Sequence, residues 1–406
     1  IDASIDMAAS RNGAALAYQL RRAEVRAGES VIAAASLEGN LQIAGTPTGT
    51  VRGSVEADLG AALSQPALLS YAALSRGTLA TTIDGSFGDA IQATATVSLR
   101  NLVARQGNRP LGNIDISPAV SLAADGSGTV RLPLVLVNGN RRSDITIEGN
   151  FNRSGNATSF NGRVAGTALH ADDFIALSGL APAASATTPR PAAAPVRADA
   201  APFWSGFTGR IDTDLRNLTF GTYALSSLRG ALAVSEERLA IDAFEGRFRE
   251  DPFRLTGAIG FAGGQALPYS LSGTLNVSDL DVGEILRAAN PGERPTIETK
   301  ATLVSQLSGR AATPARFAES LTGQFDINGS AGVLRALGRR GETVGVLSTG
   351  LGILGALQGS DTTMAIADLA AELNEMRFER FTMKVERGAD LNLRLTTLEF
   401  LSPNKR

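Results

Sequence analysis

Long stretches of this chain alternate between apolar and small polar residues. In residues 269–278, Tyr269, Leu271, Gly273, Leu275 and Val277 share one parity, and Ser270, Ser272, Thr274, Asn276 and Ser278 share the other. A β-strand turns successive side chains to opposite faces, so this run predicts a strand with one apolar face and one face of hydroxyls and amides. Residues 91–99 repeat the pattern, with Ile91, Ala93, Ala95, Val97 and Leu99 against Gln92, Thr94, Thr96 and Ser98. Residues 253–261 do so again, with Phe253, Leu255, Gly257, Ile259 and Phe261 against Arg254, Thr256, Ala258 and Gly260. Shorter runs at 37–43, 51–59, 145–151, 324–328, 378–385 and 391–400 follow the same rule, whereas residues 1–28 are weakly patterned. Residues 130–137 are apolar on both parities, and Pro133 there predicts an edge strand or a bulge, because proline donates nothing to a ladder. Asp84-Gly85, Asp125-Gly126 and Asn138-Gly139 predict hairpin turns, since these pairs accept positive φ.

The 269–278 strand runs into Asp279, Asp281 and Glu284 ahead of Ile285 and Leu286. Acids before an apolar run suit the first turn of a helix, where free N–H groups and the positive dipole end favour them. The same strand–helix pattern occurs at 162–177, aligned with 273–288 at an offset of 273 − 162 = 111, so that His170 meets Asp281. Further helical signals are short turns at 59–74 interrupted by Pro66, and a Thr313-Pro314 start for a helix over 314–321. An uncharged, glycine-rich helix is predicted over 344–357 and an amphipathic one over 361–376.

Residues 181–202 carry five prolines among many alanines and read as a flexible spacer. They part an N-terminal stretch, 1–180, from a C-terminal one, 203–406. Either the spacer divides two domains or it is a loop extruded from one sheet. The recurrence of the same strand pattern on both sides favours the loop.

Composition narrows the function. With 38 Lys+Arg against 40 Asp+Glu there is no basic excess to neutralise phosphates, which disfavours nucleic-acid binding. No cysteine and a single histidine exclude disulfides, thiolate sites and multi-histidine metal centres. The 44 glycines with few aromatics point to an all-β protein rich in turns. An Ile at position 1, and SPNKR directly after an alternating run, are expected of a fragment of a longer protein. No apolar run reaches the roughly 20 residues of a membrane span.

Catalytic signals are weak. Gly350-Leu-Gly352-Ile-Leu-Gly355 spells a dinucleotide fingerprint without the βαβ setting it requires, and reads as close helix packing. His170 lies beside Asp172 and Asp173, but no serine elbow accompanies it. The acid pairs 172/173 and 279/281 read as helix caps sooner than as glycosidase carboxylates. Arg210, Asp212, Asp214 and Arg216 read as a solvated strand face with cross-strand ion pairs. The apolar face remains. A β-sandwich would cover it; an open sheet would offer it to an apolar ligand.

The blocks PFWSGFTGRIDTDLRNLTFG, RLAIDAFEGRF, DPFRLTGAIGF, LPYSLSGTLNVSDLDVGEIL, ESLTGQFDINGSAGVLRAL and MRFERFTMKVERGADLNLRLTTLEFLSPNKR, in this order, resemble the AsmA-like family of bacterial envelope proteins, relatives of TamB. The resemblance implies a long, twisted, mainly antiparallel sheet forming a taco-like groove, with a few capping helices. It implies a periplasmic body anchored to the inner membrane by an N-terminal helix, a non-enzymatic role in phospholipid transport and outer-membrane homeostasis, and no cofactor or metal. Its partners would be phospholipid or other acyl-chain lipid and an envelope protein. Ile91, Val97, Leu99, Phe253, Leu255, Ile259, Phe261, Tyr269, Leu271, Leu275 and Val277 are the expected lipid-facing residues. The alternatives are a structural β-scaffold assisting outer-membrane protein assembly and, more remotely, a glycan hydrolase.

Overall fold

A computed structural model describes residues 1–65, 68, 73–178, 201–221, 223–248, 250–289, 292, 294–335 and 376–402. The protein is 72% strand and 7% helix, hence all-β, with a large, mostly antiparallel sheet of 21 strands. Two compact units divide the chain: Ile1–Arg249 with Gly260–Ala266, and Glu250–Ile259 with Leu267–Arg406. The helices expected over 344–357 and 361–376 lie outside the described residues, apart from Met376, which opens a strand.

The first unit is a meander. Strands β1 (Asp2–Asn12), β2 (Ala15–Ala27), β3 (Ser30–Gln42), β4 (Thr48–Asp58), β5 (Leu74–Phe87) and β6 (Ala90–Ala104) each pair antiparallel with the next. The short helix α1 (Leu59–Leu63) follows β4, and the Asp58 carboxylate caps it by accepting the Ala61 N–H at 2.9 Å. Beyond β6, β7 (Pro110–Ile116) and β8 (Ala119–Ala123) both pair with β6 and with β9 (Ser127–Asn138). Then come β10 (Arg141–Ser154), β11 (Ala157–Gly166), the two-residue β12 (Leu169–His170) and helix α2 (Ala171–Ser178). The chain returns as β13 (Phe207–Phe220), which runs parallel to β11 and β12, and continues into β14 (Tyr223–Val234) and β15 (Arg238–Phe248). The strands on either side of residues 181–202 therefore pair with each other.

Three local expectations are corrected. The weakly patterned N-terminus is a regular hairpin, β1–β2; β1 is exposed along nearly its whole length, so burial imposed no alternation there, whereas Leu16, Tyr18 and Leu20 of β2 are half-buried between exposed neighbours. Asp84-Gly85 is not a turn but lies inside β5, where the Asp84 carboxylate pairs with Arg52 at 2.7 Å and Gly85 faces Val51. Positive φ is permitted to such a pair and not required of it, and cross-strand partners decide. Asp125-Gly126 and Asn138-Gly139 do turn, with φ of 84° and 63° at the glycines. Pro133 sits in a strand flanked on both sides. It falls opposite the Ser117-Pro118 interruption between β7 and β8, where its missing N–H breaks no ladder, and its carbonyl accepts the Ser117 N–H at 3.1 Å.

In the second unit, β16 (Asp251–Phe261, of which Gly260 and Phe261 belong to the first unit) precedes β17 (Tyr269–Asp281) and helix α3 (Val282–Ala289). A small sheet joins β18 (Ile297–Glu298), β21 (Gly332–Leu334) and β22 (Met376–Phe378). The larger one runs β17, β19 (Lys300–Ala311), β20 (Thr322–Gly329), β23 (Arg380–Arg387), β24 (Leu393–Leu401), all antiparallel. The Thr313-Pro314 start yields a 3₁₀ run, Pro314–Glu319, in which Thr313 makes no side-chain cap bond.

The internal repeat holds in three dimensions. Helices α2 and α3 start and end at the same offset, 282 − 171 = 289 − 178 = 111. Ladder pairing breaks between Gly166 and Leu169 in one copy, and between Val277 and Leu280 in the other, again 111 apart.

Candidate functional site

Cross-strand pairing carries one apolar face through the first unit. One row across the strands reads Met7, Leu20, Leu37, Gly53, Ile83, Ala95. Farther on, Val97, Ile116, Leu134 and Ile145 form a second row, and Val130, Gly149, Gly162, Ile211 and Leu232 a third. The opposite face carries ion pairs. Asp214 lies between Arg163 and Arg229 at 2.8 and 3.2 Å, and the hydrogen bond from Arg229, foremost, holds its carboxyl below the ordinary aspartate range. Arg210 bridges Asp212 and Asp242.

Near α1 and α2 the apolar face is sealed. Leu74, Leu102, Leu111, Ile114 and Leu136 form a buried core, with Leu136 wholly inaccessible, and Leu59, Leu63, Ala176 and Leu177 pack on it from the helices. Elsewhere the same face is open: Leu37, Val120, Ile83 and Ile91 are 37, 39, 43 and 51% exposed. At the opposite end of β11 and β13 from α2, the turn before β13 folds over the sheet. Its Trp204 is 4% exposed, stands edge-on to Phe203, and donates its indole N–H to the Glu236 carbonyl at 3.2 Å. Beside it lies a cavity of about 520 Å³ walled by Val120, Val130, Phe151, Phe160, Phe207 and Ile211, with almost no polar surface.

The expected lipid-facing residues fall into two groups. In the first unit, Ile91 is open, Val97 is half-buried opposite Ile116, Leu99 packs against the sealed core, and Phe261 is half-buried. In the second unit, Tyr269 and Val277 are buried opposite Ala311 and Leu303. Leu271 and Leu275 between them are half-buried, as are Phe253, Leu255 and Ile259. Leu275 faces Ser305, whose hydroxyl is buried with no partner among the described residues. Phe378, Phe381 and Phe400 cluster with ring centroids 5.0–6.1 Å apart in the same unit, Phe381 stacked on Phe400 and Phe378 edge-on to Phe400. The open apolar surface therefore belongs to Leu37, Ile83, Ile91 and Val120, and the cavity to aromatic residues of which only Phe151 falls in a run, 145–151, that alternation assigned to a strand.

The polar candidates have structural partners. His170 Nδ1 lies 2.7 Å from Thr219 Oγ1 and its backbone N–H donates to Ser143 Oγ at 2.9 Å. Asp172 accepts the Gly221 N–H, and the buried Asp173 accepts from Asn138 and Arg141 at 2.9 and 2.6 Å, tying α2 to the β9–β10 turn. Asp281 caps α3 by accepting the Glu284 N–H at 2.8 Å, whereas Asp279 sits at the strand irregularity with φ of 55°. Burial raises the Asp144 carboxyl, but hydrogen bonds from Thr167 and Ala168 outweigh it and hold the group below its ordinary range. Among the described residues no group of three or more acids or histidines is placed to hold a metal, and no helix is long and apolar enough to cross a membrane. No protein-family model, curated protein or solved structure matches the chain.

Proposed function

We propose that this is a non-enzymatic, lipid-binding or lipid-conducting protein that lays acyl chains along the apolar face of its first unit. One observation carries the reading: Leu37, Ile83, Ile91 and Val120 sit on the face that alternation reserves for a core, yet remain substantially exposed. Contiguous open apolar surface of this kind marks a binding role in soluble domains. Each methylene covered contributes about 0.8 kcal/mol, so many weak contacts suffice and no single side chain dominates. From β1 to β13 the face crosses ten strand spacings, roughly 48 Å at about 4.8 Å each, while one leaflet's hydrocarbon is about 15 Å thick. A face longer than one acyl chain suits passage as well as storage.

The resemblance to AsmA-like proteins extends the proposal to a periplasmic body held at the inner membrane, handling phospholipid and supporting outer-membrane homeostasis together with an envelope protein partner. Mass spectrometry of an organic extract of the purified protein tests the reading. Co-purifying phospholipid is the expected result, and a lipid-free extract overturns it. The competing reading, a structural β-scaffold for outer-membrane protein assembly, draws on β1, which among the described residues pairs only with β2 and so offers an edge for strand addition.

A further inference from the structure

The cavity beside Trp204 is a distinct place on the apolar face. Its walls are almost wholly apolar and aromatic, and it contains no charged side chain. The indole N–H that closes it is already bound to the Glu236 carbonyl. The backbone of its floor is taken up by ladder pairing, on both sides in β11 and from Gly209 onward in β13, while Phe207 and Thr208 pair with β11 alone. Thr158 and Thr208 supply the only side-chain hydroxyls of the wall and contribute almost no surface to it, so a phosphate, carboxylate or glycerol group placed there would lose far more hydration than two hydroxyls could replace. A hydrocarbon end carries no such penalty. Val120 lines the cavity and is also part of the open face, which connects the two.

From this geometry we infer that the Trp204 cavity is a terminal subsite for the methyl end of an acyl chain. The ligand lies with its tail against Trp204 and its head group away from the turn, over the open face. The inference rests on the lipid-binding reading and adds to it a site and an orientation.

Trp204 is the only tryptophan of the chain, so its fluorescence reports on this site alone. The test titrates the whole protein with two stearic acids, one bearing a doxyl quencher near the methyl terminus and the other near the carboxylate. The methyl-end label is expected to quench Trp204 several times more strongly. Equal quenching, or stronger quenching by the carboxyl-end label, overturns the orientation while leaving lipid binding intact. Absence of quenching by either probe, in protein whose organic extract contains lipid, overturns the subsite alone; the same absence with a lipid-free extract overturns the lipid-binding reading as well. Phe207→Glu gives an independent check, because Phe207 lines the cavity yet is 56% exposed and tolerates a charge without burying it. Quenching by the methyl-end label should fall in this variant, and its persistence would count against the subsite.

Discussion

Phe160 lays its ring over two glycines, Gly149 and Gly162, that face each other across β10 and β11. A Cβ on Gly149 would lie 2.8 Å from the ring, and one on Gly162 would lie 2.5 Å from it. Tyr18 over Gly39, Phe87 over Gly49 and Phe151 over Gly128 repeat the arrangement. Part of the high glycine content thus serves strand interiors, where a missing side chain lets an aromatic ring cover backbone, and not only turns. Another residue-scale device is Asp144, which holds the corner between β11 and β12. Its carboxylate accepts the Thr167 hydroxyl at 2.7 Å and the Thr167 and Ala168 N–H groups at 3.2 and 3.0 Å. Because these bonds favour the ionised form, the folded-state pKa lies below the unfolded one. The stabilisation is therefore complete above the ordinary aspartate pKa of about 3.9 and is lost as pH falls through the lower folded value. Asp144→Asn should cost about 1.5–3 kcal/mol near neutrality, the range for hydrogen bonds to a charged group. Urea midpoints across a pH series should show this gap closing below about pH 4; a gap independent of pH would mean that the charge does not hold the corner.

The recurring element is a strand, a break in its ladder and an eight-residue helix, present twice at the 111-residue offset. The two copies share geometry and differ in chemistry. Asp281 caps α3, while its counterpart His170 turns its ring to Thr219. Asp281→Ala should cost about 1 kcal/mol and Asp281→Asn almost nothing, since asparagine caps as well as aspartate; thermal melts of the two variants check this, and equal losses would remove the cap from the account. This element was legible in the sequence because its signals are local: period-two alternation, then acids, then an apolar run. What was not legible depends on partners distant in sequence. Asp84-Gly85 looks like a turn until Arg52 is placed across from it. Pro133 looks like an edge marker until the Ser117-Pro118 gap is found beside it. The cavity joins Phe151 and Phe160 to Trp204 and Phe207 through the parallel pairing of β11 with β13, which no local pattern announces.

Across the whole molecule, alternation specifies which side chains share a face but not whether anything covers it. Tyr269 and Val277, in the second unit, and Leu136, in the first, are buried, whereas Ile83 and Leu37 in the first unit obey the same alternation and stay open. Coverage comes from what the connections place on the face: α1 and α2 seal the core around Leu136, and the Trp204 turn bounds the other end. The distinction makes two substitutions in the first unit diverge. Leu136→Ala removes a fully buried side chain and should cost about 2–5 kcal/mol. Ile83→Glu places its charge on a side chain already 43% exposed, and should change stability by no more than about 0.5 kcal/mol. The same Ile83→Glu substitution puts a carboxylate in the path proposed for acyl chains, so the lipid recovered from the purified variant should fall while its denaturant midpoint stays near that of the parent. If Ile83→Glu instead unfolds the protein as severely as a core substitution, the face is a sealed interior, because an unpaired buried charge is what a packed core cannot accept. If it leaves both stability and recovered lipid unchanged, the lipid lies elsewhere on the molecule, and the open face around Leu37 and Ile83 is not its path.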